Sequence, residues 1–277
     1  AFSEKLLRTA DAKNKEALER IDLAKTRVQK VLDRERVSHQ KTLEQKISDQ
    51  GPVGQRVDPH LLGLAIMDLR ELGRLKTVQH TATKSQNWYA NLLTKADEIE
   101  PRLEVLAPLY AETLAASNSV GDALEIITEK AIVTAYEGQA RFRYQGHFLL
   151  DQPRDKHNRV KKIQPPKAIG SNTTKKEADF ILFGYDQGPL CVECKNYREW
   201  FYPRHGEIRS TIIKSYELGA IPVFVGRRIH YTTRENFFTP AGIVFHESFY
   251  QYYDPQNEEI AARARNKELL VFSDIRA

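Results

Sequence analysis

The fold is decided by one stretch of sequence, which runs Ala178-Asp179-Phe180-Ile181-Leu182-Phe183-Gly184-Tyr185, turns at Asp186-Gln187-Gly188 and returns as Pro189-Leu190-Cys191-Val192-Glu193-Cys194-Lys195. Apolar residues dominate both arms, and the turn is short enough to require a direct reversal of the chain. The stretch therefore predicts an antiparallel β-hairpin whose reversal is centred near Asp186.

Two carboxylates and a lysine take defined places on this hairpin. Asp179 lies seven residues before Asp186 and Glu193 lies seven residues after it, so the two carboxylates are expected to face each other. Facing Cβ atoms in such a pair are roughly 4.5–5.5 Å apart. Because side chains alternate along a strand, Glu193 and Lys195 are expected on the same face.

Facing carboxylates between apolar strands repel each other, and a divalent cation would remove that repulsion. Hard oxygen ligands suit Mg²⁺, which would polarise a phosphate and lower the pKa of a bound water. Lys195 would orient that water or stabilise developing negative charge. The alternative for the same residues is an ordinary Asp–Lys or Glu–Lys ion pair at a sheet edge.

The segments around the hairpin predict further helices and strands. Ser119 and Asp122 have capping-box-like spacing, and Glu125 and Glu129 lie one turn apart on the helix that follows. The buried stripe of that helix is expected to comprise Val120, Leu124, Ile127 and Ala131. The other expected elements are a strand at Ala140–Leu150, a helix at Glu207–Leu218 closed by Gly219, and strands at Ile221–Val225 and Ile243–His246.

Asp179, thirteen intervening residues and Glu193-Cys194-Lys195 resemble the motif of the PD-(D/E)xK, or restriction-endonuclease-like, nuclease superfamily. The likeness covers about residues 119 to 253, and Gly121-x-x-x-Glu125 is similar to a motif of its Mrr-like and junction-resolvase-like branches. It departs from the family pattern at Ala178, where a Pro is nominal. The resemblance implies an α/β fold with a restriction-endonuclease-like mixed-sheet αβββαβ core.

The same resemblance implies which residues act. Asp179, Glu193 and Lys195 would be catalytic, and Mg²⁺, for which Mn²⁺ can substitute, would be held by Asp179, Glu193 and the backbone carbonyl of Cys194. Glu125 would assist the metal through water. The sequence leaves open whether Glu125 or Glu129 joins the site.

The N-terminal part predicts a second functional element. Asp58, Pro59 and Gly73 have the pattern of an N-cap, a first helical residue and a helix stop. The expected elements are a short helix near Gln40–Ile47, a helix from Pro59 to Leu72, and strands at Lys76–Thr83 and Asn87–Asn91. The core stripes are expected at Leu18, Ile21, Ala24, Val28, Val31 and Leu32, and at Leu62, Ile66, Leu69 and Leu72.

This order of elements resembles a winged helix-turn-helix. It implies a helical and winged-helix-like DNA-binding domain over residues 1–116, followed by the nuclease domain over residues 117–277. Its expected DNA contacts are His60, Met67, Arg70 and Arg74, with Lys84 at the tip of the hairpin. The alternative is a helical accessory domain that only packs or dimerises.

A basic segment, Arg154 to Lys176, carries eight Lys or Arg residues against the single acid Asp155. Lys161 and Lys162 belong to this segment, which is expected either to clamp the phosphate backbone or to be a solvated flexible loop. Cys191 and Cys194 have an odd separation on a strand, which puts them on opposite faces, so they are expected to be packing residues and not a metal pair. The aromatic and basic cluster Trp200-Phe201-Tyr202-Pro203-Arg204-His205 favours a loop anchor or subunit contact over stacking on bases.

Composition limits the class of protein. The chain has 277 residues, 41% of them hydrophobic and 29% charged, which is typical of a soluble globular protein. Two cysteines exclude a disulfide framework and suit a reducing cytoplasm, and no apolar run reaches the ~20 residues of a membrane span. A net charge of +5 is compatible with a polyanionic partner.

The function expected from the sequence is that of a Mg²⁺-dependent DNA endonuclease, of the type II or modification-dependent restriction class, in a prokaryotic cell. The first alternative is a DNA repair, junction-resolving or transposon-end nuclease of the same chemistry. The second is a catalytically silent DNA-binding protein. Cleavage of both strands of double-stranded DNA takes two active sites, so a homodimer is expected.

Overall fold

A computed structural model of the chain describes residues 12–49, 56–83, 87–116, 120–139, 141–156, 159–184 and 186–277. The protein is of the mixed α/β class, as the sequence predicts, and forms two compact units. Unit 1 comprises Ala1–Ala115 and Ala262–Ser273, and unit 2 comprises Ala116–Ala261 and Asp274–Ala277. The sequence places all of 117–277 in one domain, whereas residues 262–273 belong with unit 1.

Unit 1 combines helices with one small sheet. Its elements are α1 (Ala12–Glu35), β1 (Ser38–His39), α2 (Gln40–Glu44, followed by a π-helical turn over Gln45–Asp49), α3 (Pro59–Glu71), β2 (Leu75–Val78), β3 (Trp88–Asn91) and α4 (Ala96–Ala116). The strands are antiparallel in the order β1-β3-β2. The core is formed by the stripes of α1 and α3, including the fully buried Ile21, Val28, Leu62 and Leu69.

Helix α3 has the ends that its sequence predicts. The Asp58 carboxylate accepts from the backbone N–H of His60 at 2.7 Å, Pro59 opens the helix, and Gly73 adopts φ +63° just beyond it. The predicted core position of Leu72 is wrong, because the helix ends at Glu71 and the Leu72 side chain is 54% exposed. Helix α4 runs without a break through Pro101 and Pro108.

The C-terminal segment 262–273 completes the core of unit 1. Leu270 and Phe272 are each 1% exposed, and the Phe272 ring meets Tyr110 of α4 at a centroid distance of 6.3 Å. Arg263 pairs with Glu112 at 2.7 Å. These contacts join residues far apart in sequence, which is why no local pattern indicates them.

Unit 2 is built around a five-stranded sheet. Its elements are α5 (Val120–Tyr136), β4 (Arg143–Gln145), β5 (His147–Phe148), β6 (Lys162–Ile163), β7 (Ala168–Ile169), β8 (Asn172–Thr173), β9 (Phe180–Phe183), β10 (Leu190–Lys195), α6 (Gly206–Leu218), β11 (Ile221–Arg227), α7 (Tyr231–Thr233), β12 (Val244–Ser248) and β13 (Gln251–Tyr252). The chain ends with α8 (Glu258–Arg265) and β14 (Ile275–Arg276), which pairs with β13. The sheet order is β12-β11-β10-β9-β4, with β4, β9 and β10 antiparallel and β10, β11 and β12 parallel.

The two faces of this sheet are covered by different helices. On one face Leu124 and Ile132 of α5 cluster with Phe180, Val192 and Cys194. On the other face Leu218 of α6 clusters with Ile181 and Cys191. The two thiols are therefore buried on opposite faces, which confirms their predicted packing roles.

The stripe predicted for α5 is partly wrong. Leu124 is buried as predicted, but Ile127 and Ala131 are exposed, and the buried face continues through Thr128 and Ile132. The side chain of Val120 falls outside the described residues. The hydroxyl of Thr128 donates to the Leu124 carbonyl at 2.8 Å and lies 3.6 Å from Cys194 Sγ. The polar residue Thr128 thus lies on the buried face, at a position that the predicted stripe did not include.

The single strand predicted at Ala140–Leu150 is divided at Gly146. Gly146 has φ +108°, and a Cβ atom there would lie 2.4 Å from the carbonyl oxygen of Asp179. Only glycine allows this approach. The division sends β4 to pair with β9 and β5 to pair with β6, so the basic segment contains paired strands next to the hairpin.

No helix within the described ranges combines the length and apolar character needed to cross a bilayer.

Candidate active site

The candidate site lies at the open end of the β9–β10 hairpin. Phe180 pairs with Val192, and the same register continued by one residue places Asp179 opposite Glu193. The backbone N–H of Asp179 donates to the Val192 carbonyl at 3.1 Å, which holds Asp179 to β10 although it precedes β9. The register is the one that the sequence predicts.

The carboxyl group of Asp179 has a backbone hydrogen bond and an unusually high pKa. Its Oδ2 atom accepts from the backbone N–H of Cys194 at 2.6 Å. Burial, with the added charges of Glu193 and Glu125, raises the pKa of Asp179 to about 7. The charged form is therefore disfavoured, and a bound cation would stabilise it.

Glu193 is held by two lysines. Its Oε1 atom lies 2.5 Å from Lys195 Nζ, and its Oε2 atom contacts Lys214 Nζ. Lys214 comes from α6, is 1% exposed and also donates to the Glu177 carbonyl at 2.7 Å. Burial alone would lower the pKa of Lys195, but the charges of Glu193 and Asp179 outweigh burial and raise it.

Glu125 reaches the site through Lys162 of β6. The Lys162 ammonium lies 2.5 Å from Glu125 Oε2 and 4.0 Å from Asp179 Oδ1. It also lies over the rings of Phe148 and Phe180, at 5.0 and 4.6 Å from their centroids. Burial raises the pKa of Glu125, although the charge of Lys162 opposes that shift.

Lys162 differs from its predicted environment. The sequence groups it with Lys161 as an exposed contact to the DNA backbone, but its side chain is only 8% exposed and its charge faces carboxylates. Lys161 is exposed, as a backbone contact requires. Lys161 comes just before β6 and Lys162 begins it, and successive side chains of an extended chain point in opposite directions.

Glu129 serves a different part of the fold. Its carboxylate accepts from the Tyr144 hydroxyl at 3.0 Å and from the backbone N–H of Phe148 at 3.1 Å. The charge that acts on Asp179 from α5 is that of Glu125. Of the two acids left open by the sequence, Glu125 is therefore the one beside the hairpin carboxylates.

The donors suit a hard cation. The carboxylates of Asp179 and Glu193 and the nearby backbone of Cys194 offer the oxygen ligands that Mg²⁺ prefers. Over the ranges that the structure describes, no three His, Cys, Asp or Glu side chains form a ready-made metal cluster. A cation would share or displace the contacts that Lys162, Lys195 and Lys214 make with these carboxylates.

The predicted DNA contacts of unit 1 lie on or just after α3. His60, Met67 and Arg70 are exposed on the helix, and Arg74 is exposed after its end. Lys84 and the rest of the predicted hairpin tip fall outside the described residues. The three basic positions that are described therefore belong to one accessible segment.

Sequence reasoning left the role of Lys214 open and misjudged that of Lys162. A signal for Lys214 exists in α6, where it is itself one of the buried residues, together with Ile208, Thr211, Ser215 and Leu218. A lysine at a buried position of the helix that follows the strand carrying Glu193 is a candidate partner for that acid. No comparable local signal marks Lys162, because its position depends on the turn at Gly146.

No family model and no curated protein matches this chain.

Proposed function

We propose that the chain is a Mg²⁺-dependent DNA endonuclease of the type II or modification-dependent restriction class. One observation carries the proposal: the register of β9 and β10, continued by one residue, places Asp179 opposite Glu193, and Lys195 is in direct contact with Glu193. Buried like charges are unfavourable unless a ligand or a partner uses them. Phosphodiester hydrolysis by a hard cation uses this combination of two carboxylates and a lysine.

The order of elements supports the same reaction. In chain order α5, β4, β9, β10, α6 and β11 form a helix, three antiparallel strands, a helix and a strand parallel to the last of the three. This order supports the proposed αβββαβ nuclease core. It puts Glu193 on the central strand β10 and Asp179 just before the neighbouring strand β9.

In the proposed reaction each residue has a defined task. Asp179, Glu193 and the Cys194 carbonyl would hold Mg²⁺, which supplies Lewis-acid activation of the phosphate and of water. Lys195 would stabilise the negative charge that develops on the phosphate oxygens. Glu125 would orient water beside the metal, in place of its present contact with Lys162.

Unit 1 would select the DNA. Strand β1 precedes the short helix α2, and β2 and β3 follow the capped α3, an order that supports the winged-helix proposal. His60 and Arg70 on the exposed face of α3 would read base edges or contact phosphates, and Arg74 and Lys161 would contact the backbone. A homodimer would place two such sites on the two strands of the duplex.

A second candidate is a catalytically silent DNA-binding protein. It is favoured by the lysine contacts, because Glu193 already touches Lys195 and Lys214, and Glu125 touches Lys162. Such an arrangement neutralises the carboxylates without a metal. A repair, junction-resolving or transposon-end nuclease of the same chemistry is the remaining candidate.

The deciding experiment is cleavage of plasmids of different methylation status, and of branched DNA, with Mg²⁺, with Mn²⁺ and with EDTA. Asp179→Asn, Glu193→Gln and Lys195→Ala should each lower cleavage by roughly a hundredfold or more. Asp186→Asn, which changes an exposed carboxylate on the turn of the same hairpin, is the matched control.

Each outcome selects one candidate. Discrete plasmid fragments would indicate restriction, and cleavage of branched DNA alone would indicate junction resolution. DNA binding without metal-dependent cleavage would identify the silent protein. Near-normal cleavage by Lys195→Ala, or cleavage undiminished by EDTA, would contradict the proposed site.

A further inference from the structure

The carboxyl ends of three parallel strands meet beside the hairpin carboxylates. Strands β10, β11 and β12 are adjacent and parallel, so they end at the same edge of the sheet. Lys195 is the last residue of β10, Arg228 follows the last residue of β11, and Phe249 follows the last residue of β12. We call these three positions the carboxyl edge. Ligands of open α/β sheets bind at such an edge.

Arg228 has a backbone conformation that is rare for its residue type. Its φ angle is +53°, in the left-handed region that favours glycine. The conformation is held by the neighbouring chain, because the backbone N–H of Phe201 donates to the Arg228 carbonyl at 2.9 Å and the N–H of His230 donates to the Phe201 carbonyl at 3.0 Å. Strained backbone of this kind is concentrated at functional sites.

The side chain of Arg228 lacks an anionic partner. Over the ranges that the structure describes, its Nε atom is buried without a hydrogen-bond partner, and no carboxylate pairs with its guanidinium. Its recorded side-chain contact is with the ring of Phe249, whose centroid lies 5.6 Å from Cζ. A guanidinium has five N–H donors and suits phosphate or carboxylate oxygens, so Arg228 has donors for an anion.

The acid beside the preceding residue is already engaged. Asp274 pairs with Arg227 through Oδ2 and with Arg198 through Oδ1, at 2.8 Å in the second case. Burial alone would raise the pKa of Asp274, but the charges of Arg198 and Arg227 lower it to about 2. Both oxygens of this carboxylate are therefore committed, and the positive charge of Arg228 is additional to theirs.

Two exposed aromatic rings hold arginines at this edge. Phe249 is 61% exposed and contacts Arg228, and Tyr250 is 40% exposed and lies 4.3 Å from the Cζ atom of Arg276. Arg276 is exposed on β14 and adds a second positive charge. A ring contact orients a guanidinium but supplies no oxygen acceptor, so it does not take the place of an anion.

The carboxyl edge is fixed relative to the candidate site. The side-chain amide of Asn196, the residue after Lys195, donates to the Tyr252 carbonyl at 2.6 Å and accepts from the Tyr252 N–H at 3.1 Å. Lys195 pairs with Gly226, two residues before Arg228. One strand spacing and two residues of rise separate the backbones of Lys195 and Arg228 by about 8 Å. At 3.4 Å of helix axis per phosphate, this distance corresponds to about two phosphates of one DNA strand.

We propose that Arg228 binds a phosphate of the DNA strand held at the hairpin carboxylates, about two phosphates from the one that is hydrolysed. The proposal rests on the proposed DNA endonuclease function, because it takes DNA as the ligand. It deepens that function by adding a backbone contact that Lys161 and α3 do not supply. Phe249 orients the guanidinium, and Arg276 contributes positive charge beside it.

The test is binding of the full chain to duplex DNA at several salt concentrations, with EDTA present to prevent cleavage. Arg228→Gly should lower the slope of log affinity against log salt concentration by about one, and weaken binding about tenfold at a fixed salt concentration. Because glycine adopts a positive φ without strain, this variant should melt at or above the temperature of the wild type. Arg228→Lys keeps the charge and should retain the slope.

Arg141→Ala is the matched control. Arg141 is an exposed arginine of the same unit, and its carbonyl lies against Gly184, at the turn end of the hairpin and away from the carboxylates. The slope and the affinity should both be unchanged in this variant. For a duplex that the wild type cleaves, a neutral methylphosphonate placed near the cut should weaken binding by the wild type at one position where it does not weaken binding by Arg228→Gly.

The failure of this inference differs from the failure of the proposed function. Asp179→Asn should lose cleavage and keep the salt slope. An unchanged slope in Arg228→Gly, with a wild type that cleaves DNA, would overturn the Arg228 assignment alone. A melting temperature of Arg228→Gly clearly below that of the wild type would make the arginine structural and overturn it as well.

Two further outcomes separate the possible ligands. Inorganic phosphate that raises the melting temperature of the wild type but not of Arg228→Gly, with DNA binding equal in the two, would assign the position to free phosphate and overturn the DNA contact. A lowered slope in Arg228→Gly, with no metal-dependent cleavage by the wild type, would uphold the contact and overturn the nuclease proposal.

Discussion

Lys214 and Glu193 form a buried ion pair that joins α6 to the centre of the sheet. Lys214 is 1% exposed and Glu193 is 7% exposed, and the other oxygen of Glu193 accepts from Lys195 at 2.5 Å. Both oxygens of the acid are thus committed to lysines. Lys214 also holds the chain that leads into the hairpin, because it donates to the backbone carbonyl of Glu177, two residues before Asp179.

The first prediction is that Lys214→Met destabilises the protein by about 3–5 kcal/mol, as expected when one partner of a buried pair is removed. Chemical denaturation of the full chain measures the change. Lys175→Met, which alters an exposed lysine of the same unit, should change stability by less than about 0.5 kcal/mol.

The double variant Lys214→Met/Glu193→Gln separates the ion pair from simple packing. Because it also removes the carboxylate charge that Lys214 balances, its loss of stability should be clearly smaller than the sum of the two single losses. Strictly additive losses would show that the two residues do not interact.

The second prediction concerns pH. The pKa of Asp179 is raised to about 7, so between pH 4 and 7 the folded state holds a proton that the unfolded state has lost. Stability without metal should therefore fall as the pH rises through this range and level off above pH 7. A shift of three pKa units sets an upper limit of about 4 kcal/mol.

Asp179→Asn removes this ionisation. With EDTA the variant should gain stability over the wild type as the pH increases from 4 to 8, whereas Asp186→Asn should not. With Mg²⁺ the wild type should gain stability at pH 8 and Asp179→Asn should not, because only the wild type keeps the ligand. A variant no more stable than the wild type at pH 8 in EDTA would contradict the assigned environment of Asp179.

The central hairpin could be predicted because its determinants are local. The length of the turn sets the register, and the register places Asp179 opposite Glu193 and Lys195 beside Glu193. The ends of α3 and α6 were likewise marked by cap residues, Asp58 and Gly219 among them. Short-range rules of this kind need no knowledge of the rest of the fold.

The remaining features depend on contacts between distant segments. The turn at Gly146 passes so close to the backbone of Asp179, 33 positions later in the chain, that only glycine fits there. This turn brings β6 to a position where Lys162 contacts Glu125. The return of Phe272 to Tyr110 similarly joins residues that no periodicity relates. Because burial here depends on distant contacts, the local sequence does not distinguish the exposed Lys161 from the buried Lys162.

The third prediction compares Lys162 with its exposed neighbour Lys161. Lys162→Ala removes the cation beside Glu125 and Asp179, so the carboxylates should bind Mn²⁺ more tightly, by roughly tenfold for the loss of about 1.4 kcal/mol of competition. Titration calorimetry measures the affinity without any cleavage. Lys161→Ala should leave it unchanged but reduce the salt dependence of DNA binding.

An unchanged Mn²⁺ affinity in Lys162→Ala would show that this ammonium does not compete for the carboxylates. Weaker binding would show that Lys162 positions them for the metal. Lys162→Arg, which keeps the charge, should behave more like the wild type than Lys162→Ala does.

The last prediction is that α3 and the residue that follows it bind DNA. The motivation is that Arg70 and Arg74 are exposed cations next to the exposed His60 face of a capped helix. The full chain should be used, because a fragment of residues 1–116 would lack Leu270 and Phe272 of the core of unit 1. Each phosphate contact contributes about one unit to the slope of log affinity against log salt concentration. Arg70→Ala or Arg74→Ala should therefore lower this slope by about one if the side chain contacts phosphate. A side chain that reads a base should instead change which of two duplexes is preferred.

The control for this prediction is Lys30→Ala, which removes an exposed cation from α1 and should change neither the slope nor the preference. Unchanged slopes and preferences in Arg70→Ala, Arg74→Ala and His60→Ala would make unit 1 an accessory or dimerisation element.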